Sequence, residues 1–348
     1  MEPSSFIDDL NRVPEELHRV ADALEAGLPR LAEVERIGRD AAARGNGVPR
    51  VLLLGMGSSN YAADIVAREA RESGAHVVAE LASTRLLPSA AEDLVVVAIS
   101  ATGGSVEILE AMQPYDRSGR LIAITNKPQS KIASIAGLTI EQHAGVEVSG
   151  IACRTFRHTL LVLRAVVAAL HPAGHPLRQW IPQLPPLARA AAAANESLLN
   201  TKDDWIRPVA NALASQTGTW VLAPVERISS ARQSALMIRE VPRHTAYASE
   251  TGDWSHVDVY LTKTQDYRAL VYAGSAWDEQ ALGWMRERRS RWVSVGGDLP
   301  GAEATVRYPG DDDPRIAQLS ELLVAEQVAA HWLEHPDVPA STPERRAG

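Results

Sequence analysis

The chain has 348 residues, of which 45% are hydrophobic, and a formal net charge of −8 at pH 7. This length predicts two domains of ordinary size, and the acidic balance without a basic run argues against nucleic acid as a partner. No run of about eighteen apolar residues and no signal-peptide pattern is present, so neither a membrane span nor export is expected. Cys153 is the only cysteine, which excludes an internal disulfide and fits a cytoplasmic location.

The N-terminal segment, residues 1–45, predicts a helical leader. Apolar residues recur at helical spacing in two groups between Phe6 and Arg44, so two helices are expected. The segment has no strand pattern, and we expect it to pack on the outside of a sheet.

A first domain is predicted at residues 46–171, where strand and helix patterns alternate. The predicted strands are Val51–Leu54, His76–Glu80, Leu94–Ile99, Leu121–Thr125 and Leu138–Glu141. The predicted helices lie near Ala62–Ser73, Val106–Gln113, Ile132–Ala136 and Thr155–Leu170. Five strands that alternate with helices predict a parallel, doubly wound α/β sheet.

The turn after the first predicted strand contains Gly55, Gly57, Ser58 and Ser59 and leads into a helix. Glycines let the backbone approach a ligand closely, and the unpaired N–H groups and dipole of a helix start favour an anion. The spacing is neither GxGxxG nor that of a Walker loop. The alternative interpretation is a tight strand-to-helix connection without a ligand.

A second polar turn, Ser100 to Ser105, follows the third predicted strand and carries the hydroxyls of Ser100, Thr102 and Ser105. Hydroxyls and free N–H groups without Lys or Arg suit a compact phosphate monoester. The alternative is that these residues only cap the next helix. Both turns follow the carboxyl ends of predicted parallel strands, which is where open α/β sheets bind ligands.

A Pro-rich linker and a helix are predicted at residues 172–204, and a second domain of the same design at 205–336. Its predicted strands are Trp220–Ala223, Val257–Leu261, Ala269–Tyr272, Trp292–Val295 and Thr305–Tyr308, with helices near Ser229–Glu240, Ala276–Arg286 and Ile316–Trp332. This domain has no hydroxyl-rich turn to match the first, so the anion site is expected in the first domain. The tail, residues 337–348, predicts extended or disordered chain.

Two residues of the second domain are candidates for chemistry. Glu240 ends a predicted helix, where its charge opposes the dipole, and His256 follows a Gly-Asp turn sixteen residues later. The alternatives are a surface carboxylate paired with Arg239 or Arg243 and a structural histidine. His244 and Glu250 compete for the same roles, and composition does not choose among them.

The turns GMGSS and AISATGGSVE resemble the sugar isomerase (SIS) domain, especially the isomerase half of glucosamine-6-phosphate synthase, and the resemblance covers nearly the whole chain without a glutaminase domain. It implies two doubly wound, flavodoxin-like SIS domains. It also implies that Glu240 and His256 are catalytic and that Ser58, Ser59, Ser100, Thr102 and Ser105 bind phosphate. Gly150 lies in the segment Glu147–Phe156, which resembles another stretch of the family's site, so the resemblance implies that Gly150 also binds the substrate or its phosphate.

The sequence departs from this family in three places. Ala101 stands where the family has Gln, and Ala152 stands where it has Ser near the sugar. The position of the family's C-terminal lysine falls on Arg346, and arginine neither forms a Schiff base nor gives up its proton.

The resemblance implies a homodimer that shares its active sites, with a sugar 6-phosphate as substrate and neither cofactor nor metal. The expected activity is aldose–ketose isomerisation or deamination of an amino-sugar phosphate of the glucosamine-6-phosphate type. Deglycation of a fructosamine 6-phosphate and a non-catalytic sugar-phosphate sensor are alternatives. A nucleotide-binding Rossmann protein is a third interpretation, with Glu80 placed for a ribose, but the glycine spacing disfavours it.

Overall fold

A computed structural model describes residues 3–340. The chain divides into two compact units. The first unit comprises residues 15–189, and the second comprises the described parts of 1–14 and 190–348. The segment predicted as one leader therefore contributes to both units.

The first unit contains a five-stranded, all-parallel sheet in the order β2-β1-β3-β4-β5. Its strands are β1 (Arg50–Gly55), β2 (His76–Leu81), β3 (Leu94–Ile99), β4 (Leu121–Thr125) and β5 (Leu138–Glu141). Every residue of β3 and β4 is buried, as expected for central strands covered by helices on both faces. The doubly wound parallel sheet is confirmed.

The second unit repeats this design. Its strands are β6 (Thr219–Ala223), β7 (Ala246–Glu250), β8 (Arg268–Tyr272), β9 (Arg291–Val295) and β10 (Ala304–Val306). They are all parallel in the order β10-β9-β8-β6-β7. When the strands are numbered within this unit and the order is read from the β7 edge, it is the same as in the first sheet. The internal architectural repeat is thus confirmed, and its strand order is that of flavodoxin-like folds.

Helices flank the sheets in both units, with no helix between β2 and β3 or between β9 and β10. Those before and within the first sheet are α1 (Pro3–Asn11), α2 (Val13–Glu25), α3 (Leu31–Arg44), α4 (Ser58–Glu72), α5 (Val106–Met112), α6 (Lys131–Ile135) and α7 (Arg154–Leu170). The remainder are α8 (Trp180–Asn200), α9 (Lys202–Leu213), α10 (Ile228–Glu240), α11 (Thr251–Trp254), α12 (Asp278–Glu287), α13 (Pro314–Ser320), α14 (Leu322–Glu334) and α15 (Asp337–Ala340). Within the described residues no helix is both long and apolar enough to cross a bilayer.

The predicted strand Val257–Leu261 is wrong. Asp258–Lys263 forms a 3₁₀ helix in which Val259 and Thr262, three positions apart, are buried while Tyr260 is exposed. Burial at a spacing of three residues is typical of a helix and not of a strand. The second strand of the sheet is instead β7, a half-exposed edge strand with too few apolar residues to be recognised.

Three helical segments also differ from the prediction. The leader forms three helices where two were expected. The predicted linker is partly helical, because α8 begins at Trp180 and continues through Pro185 and Pro186. The predicted helix Ile316–Trp332 is divided between α13 and α14 at Glu321. The first residues of the predicted extended tail form α15, and the rest of the tail lies outside the described residues.

Candidate functional site

The turn between β1 and α4 brings the end of the strand against the start of the helix. A Cβ at Gly55 would lie 2.7 Å from the Asn60 backbone nitrogen, and Gly57 has φ 49° and ψ −127°. Both positions therefore require glycine. No side chain caps α4, although the Ser59 N–H donates to Met56 O at 3.1 Å. The remaining first-turn N–H groups and the half-buried Ser58 and Ser59 side chains could face an anion there.

The turn between β3 and α5 holds two hydroxyls close together. Ser100 is buried, and its Oγ lies 3.4 Å from Ser105 Oγ and accepts the Gly103 N–H at 3.1 Å. Gly103 has φ 66°, and a Cβ there would lie 2.0 Å from Ser130 Oγ. Thr102 is exposed, so its side chain stands at the surface of the same turn.

The loops after β4 and β5 hold this turn in place. Thr125 Oγ1 donates to the Ala101 carbonyl oxygen at 3.3 Å, and the Ile132 N–H donates to Gly103 O at 3.1 Å. Asn126 joins the two loops, because its Nδ2 donates to Gly145 O at 2.6 Å while its Oδ1 accepts the Ala144 N–H at 3.1 Å.

The two polar turns leave the same edge of the sheet. β1 and β3 are neighbouring parallel strands, with Leu54 opposite Ala98, and neighbouring strands lie about 4.8 Å apart. The structure thus brings the Ser58–Ser59 and Ser100–Ser105 turns together at the carboxyl ends of adjacent strands. This arrangement can bind a compact oxyanion through hydroxyls and backbone N–H groups.

Gly150 lies in the loop before α7 and does not form an open anion site there. It is exposed, has φ 76°, and donates its N–H to Glu147 O at 3.2 Å. Glu147 Oε1 accepts the N–H groups of Arg154 at 2.6 Å and Thr155 at 3.0 Å. The start of α7 is therefore occupied by the protein's own carboxylate, whose pKa is raised by burial against the opposing effect of these donors.

A buried polar layer supports the loop after β5. The Gln142 amide donates to Thr159 Oγ1 at 2.7 Å, and His158 Nδ1 lies 3.0 Å from the Gln142 carbonyl oxygen. Burial lowers the pKa of His158 to about 3, so this imidazole is neutral at pH 7 and donates from Nδ1.

Glu240 and His256 both belong to the second unit. Glu240 is the exposed last residue of α10, and His256 is exposed just after α11, where its N–H donates to Asp253 O at 2.8 Å. The neighbouring Arg239 donates to Ala246 O at 2.8 Å. The position that replaces the family's lysine, Arg346, lies outside the described residues.

The competing residues have structural partners. Glu250 caps α11 by accepting the Asp253 N–H at 2.8 Å. His244 stands edge-on to Trp332, with ring centroids 5.6 Å apart, and burial lowers its pKa.

Two further residues at the polar turns were missed in the sequence. Asn60 Oδ1 and Ser130 Oγ are buried and have no hydrogen-bond partner within residues 3–340. Asn60 lies in the first turn of α4, and its polar side chain next to Ser59 could have indicated a site residue. Ser130 ends the segment Asn126–Ser130, which resembles an Asn-x-Pro-x-Ser turn of the SIS family, but its contact with Gly103 arises from the packing of two loops and was not predicted.

Residues 47–169 match the family model described as SIS domain. This segment contains the five strands of the first sheet and resembles that domain, whereas the match does not extend to the second unit. Two curated relatives are both glutamine–fructose-6-phosphate aminotransferases of the isomerizing type. The one from Sulfolobus acidocaldarius is 23% identical over 74% of this chain and 41% of its own length, and the one from Sulfurisphaera tokodaii is 22% identical over 97% and 55%. The chain thus spans about half, or less, of the length of these relatives.

Solved structures share the fold over nearly the whole chain. Tagatose-6-phosphate ketose/aldose isomerase from Escherichia coli has a TM-score of 0.75 at 15% identity, with 99% of this chain and 97% of that chain covered. Glucosamine-6-phosphate deaminase from Thermotoga maritima has a TM-score of 0.69 at 17% identity, with 98% of both chains covered. At these identities the likeness establishes the fold.

Proposed function

We propose that the protein is a sugar-phosphate enzyme that isomerises an aldose 6-phosphate or deaminates an amino-sugar 6-phosphate such as glucosamine 6-phosphate. The observation that carries this proposal is the pair of polar turns at the carboxyl ends of β1 and β3 in the SIS domain. Ser100, Thr102 and Ser105 supply hydroxyls, and Ser58 and Ser59 open the uncapped α4. The activities named for the relatives and for the structural neighbours support the same substrate class.

Phosphate binding anchors the substrate at a point away from the reacting carbons. A bound phosphate lowers the entropic cost of aligning C1 and C2 with a base. Gly150, in the loop before α7, contributes its backbone to the sugar side of the site in this proposal.

Glu240 acts as the base in the proposed mechanism. It removes the proton from C2 of the open-chain aldose, and the resulting cis-enediol or enolamine is protonated at C1. For glucosamine 6-phosphate this transfer gives a C2 imine, which water hydrolyses to the ketose phosphate and ammonia. His256 opens the ring by moving a proton between the ring oxygen and the hemiacetal hydroxyl, a role that suits an imidazole near neutral pH.

The test is turnover of matched phosphorylated and unphosphorylated sugars. Glucosamine 6-phosphate, glucose 6-phosphate and tagatose 6-phosphate are incubated with the protein, and ketose or aldose formation and ammonia release are measured. We expect turnover of one of these phosphates and none of its unphosphorylated counterpart. Tight binding without turnover would favour the sensor, and a lack of both binding and turnover would overturn the proposal.

We also propose that the protein is a homodimer, since the SIS resemblance implies active sites shared between subunits. Light scattering should then give twice the monomer mass of 37.6 kDa. A monomer mass at micromolar concentration with activity retained would contradict this proposal.

A further inference from the structure

A cleft of about 510 Å³ lies at the carboxyl ends of the strands of the second sheet. Residues after β6, β8, β9 and β10 line it, together with Glu250 at the end of β7. The strand order reverses here, since β6 lies between β7 and β8, and such a switch point is the usual ligand site of an open α/β sheet. All of the lining residues belong to the second unit. The lining contains neither the phosphate-type turns nor Glu240 or His256, so a ligand of this cleft would contact none of the residues used in the proposed function.

The backbone N–H groups of the turn after β8, which could bind an anion, already donate to a side chain of the protein. Asp278 Oδ2 accepts the N–H groups of Gly274 at 2.7 Å and Ser275 at 3.0 Å. A phosphate in this turn would have to displace a carboxylate of the same charge. An anionic ligand is therefore disfavoured at this wall of the cleft.

The lining of the cleft is acidic. Glu226, Glu250 and Asp312 line it, and none has an ion pair within the described part of the chain. Arg227, the one basic side chain in the lining, is buried and forms an ion pair with buried Glu321. The lining therefore carries an excess of negative charge that attracts a cation.

An aromatic ring stands beside one of these carboxylates. Trp277 is 55% exposed although it lines the cleft. A Cβ at Gly252 would lie 2.8 Å from Trp277 Cδ1 and 3.1 Å from Glu250 Oε2, so the ring and the carboxylate flank the same point. An indole face next to a carboxylate is a favourable environment for an organic cation.

A buried hydroxyl without a partner lies beside another part of the lining. Tyr308 is 5% exposed, and its Oη makes no hydrogen bond within residues 3–340. A Cβ at Gly296, which lines the cleft, would lie 3.6 Å from this Oη and 3.6 Å from the Asp311 carbonyl oxygen. Two oxygen acceptors therefore border the space beside Gly296. An ammonium group placed there could donate hydrogen bonds to both.

A metal ion fits this lining poorly. Among the described residues no group of three or more His, Cys, Asp or Glu side chains is arranged to hold one. The acids are spread over a cleft of about 510 Å³, which suits a ligand larger than an ion.

We propose that this cleft binds a small organic amine in its ammonium form. Glu226 and Asp312 attract the charge, Trp277 packs against the alkyl chain and the cation, and the Tyr308 hydroxyl accepts from the ammonium group.

The first experiment compares 1,4-diaminobutane with 1,4-butanediol by titration calorimetry on the full chain at pH 7 and low salt. The diamine should bind and the diol of the same length should not. Added sodium chloride should weaken binding, because the carboxylates are exposed and screened. Equal heats from both probes, or no heat from the diamine, would overturn the proposal.

The second experiment removes the charges. The double variant Glu226→Gln/Asp312→Asn should bind the diamine about tenfold more weakly, since two exposed charge contacts are lost. Glu196→Gln, on the exposed surface of α8 in the same unit, is the matched control and should retain wild-type affinity. Unchanged affinity in the double variant would place the amine elsewhere.

The third experiment separates the contributions of the two aromatic residues. Trp277→Leu keeps an apolar side chain but loses the π face, and Tyr308→Phe keeps the ring but loses the acceptor. Each should weaken diamine binding several-fold while the thermal unfolding temperature verifies the fold. Wild-type affinity in both folded variants would contradict the assigned geometry.

Discussion

The two sheets have the same strand order but opposite chemistry at their carboxyl edges. In the first unit, α4 is uncapped and the turn after β3 presents hydroxyls, with Gly103 held against Ser130. In the second unit, Asp278 occupies the N–H groups of the turn after β8 and carboxylates line the cleft. Topology therefore provides the crevice, whereas a few turn residues decide which charge it accepts.

Glu240→Gln, in the second unit, should have the largest effect on turnover. The substitution keeps the size and hydrogen bonding of the side chain but removes the base. Turnover should fall by about 10²–10⁴ while sugar-phosphate affinity is retained, because the phosphate-type turns belong to the first unit. Steady-state kinetics and calorimetry on a verified substrate check both parts, and wild-type turnover would refute the catalytic role of Glu240.

Adjacent glycines provide a matched test of the first unit's turn after β3. Gly103→Ala places a Cβ 2.0 Å from Ser130 Oγ at a positive φ, so it should lower the free energy of unfolding by about 2–4 kcal/mol. Gly104→Ala is the matched control, because no atom lies within 4 Å of its Cβ. Urea denaturation of both variants measures the difference, and equal midpoints would mean that the turn relaxes freely.

Removal of two hydroxyls from the turn after β3 should have a smaller effect, on the free energy of sugar-phosphate binding. Thr102→Ala combined with Ser105→Ala should weaken sugar-phosphate binding by about 1–3 kcal/mol, at about 1 kcal/mol or somewhat more for each hydrogen bond to a charged group. Ser275→Ala, in the corresponding turn of the second unit, is the control and should leave this affinity unchanged. If calorimetry finds wild-type affinity in the double variant, the phosphate lies elsewhere.

Sensitivity to acid should be greatest in the first unit. Burial lowers the pKa of His158 to about 3 and that of His171 to about 4, below the unfolded value of about 6.5. The unfolded chain therefore takes up these protons first, and stability present above pH 6.5 is lost as the pH falls toward these values. Between pH 7 and pH 5 each of these histidines should lower the free energy of unfolding by at most about 2 kcal/mol.

The variant His158→Asn tests this assignment, because its amide can donate to Gln142 O in place of Nδ1 without titrating. Its free energy of unfolding should depend less on pH than that of the wild type, as measured by urea titrations at pH 7 and pH 5. The same pH dependence in both proteins would assign the acid sensitivity to other groups.

The sequence predicted the first sheet almost residue for residue, because its central strands are short apolar runs buried on both faces. It failed at the edge of the second sheet. β7 is half exposed and carries little hydrophobic signal, and a strand was predicted around Val259 where a 3₁₀ helix lies. Pro185 and Pro186 indicated a linker, yet α8 continues through them.

The candidate site was predictable only where its residues follow one another in the chain. Ser100, Thr102 and Ser105 share one turn, so their hydroxyls were visible as a pattern. Ser130 meets Gly103 through loop packing, and the acceptor pair beside Gly296 depends on residues that are distant in sequence. No local pattern encodes such contacts, because tertiary packing creates them.

The contact of Asp278 with the Gly274 and Ser275 N–H groups makes this carboxylate an internal substitute for an external anion. One side chain at the start of α12 therefore determines whether the turn can receive such an ion. Asp278→Gly would expose the same two donors, so a single substitution should convert this turn into an anion site.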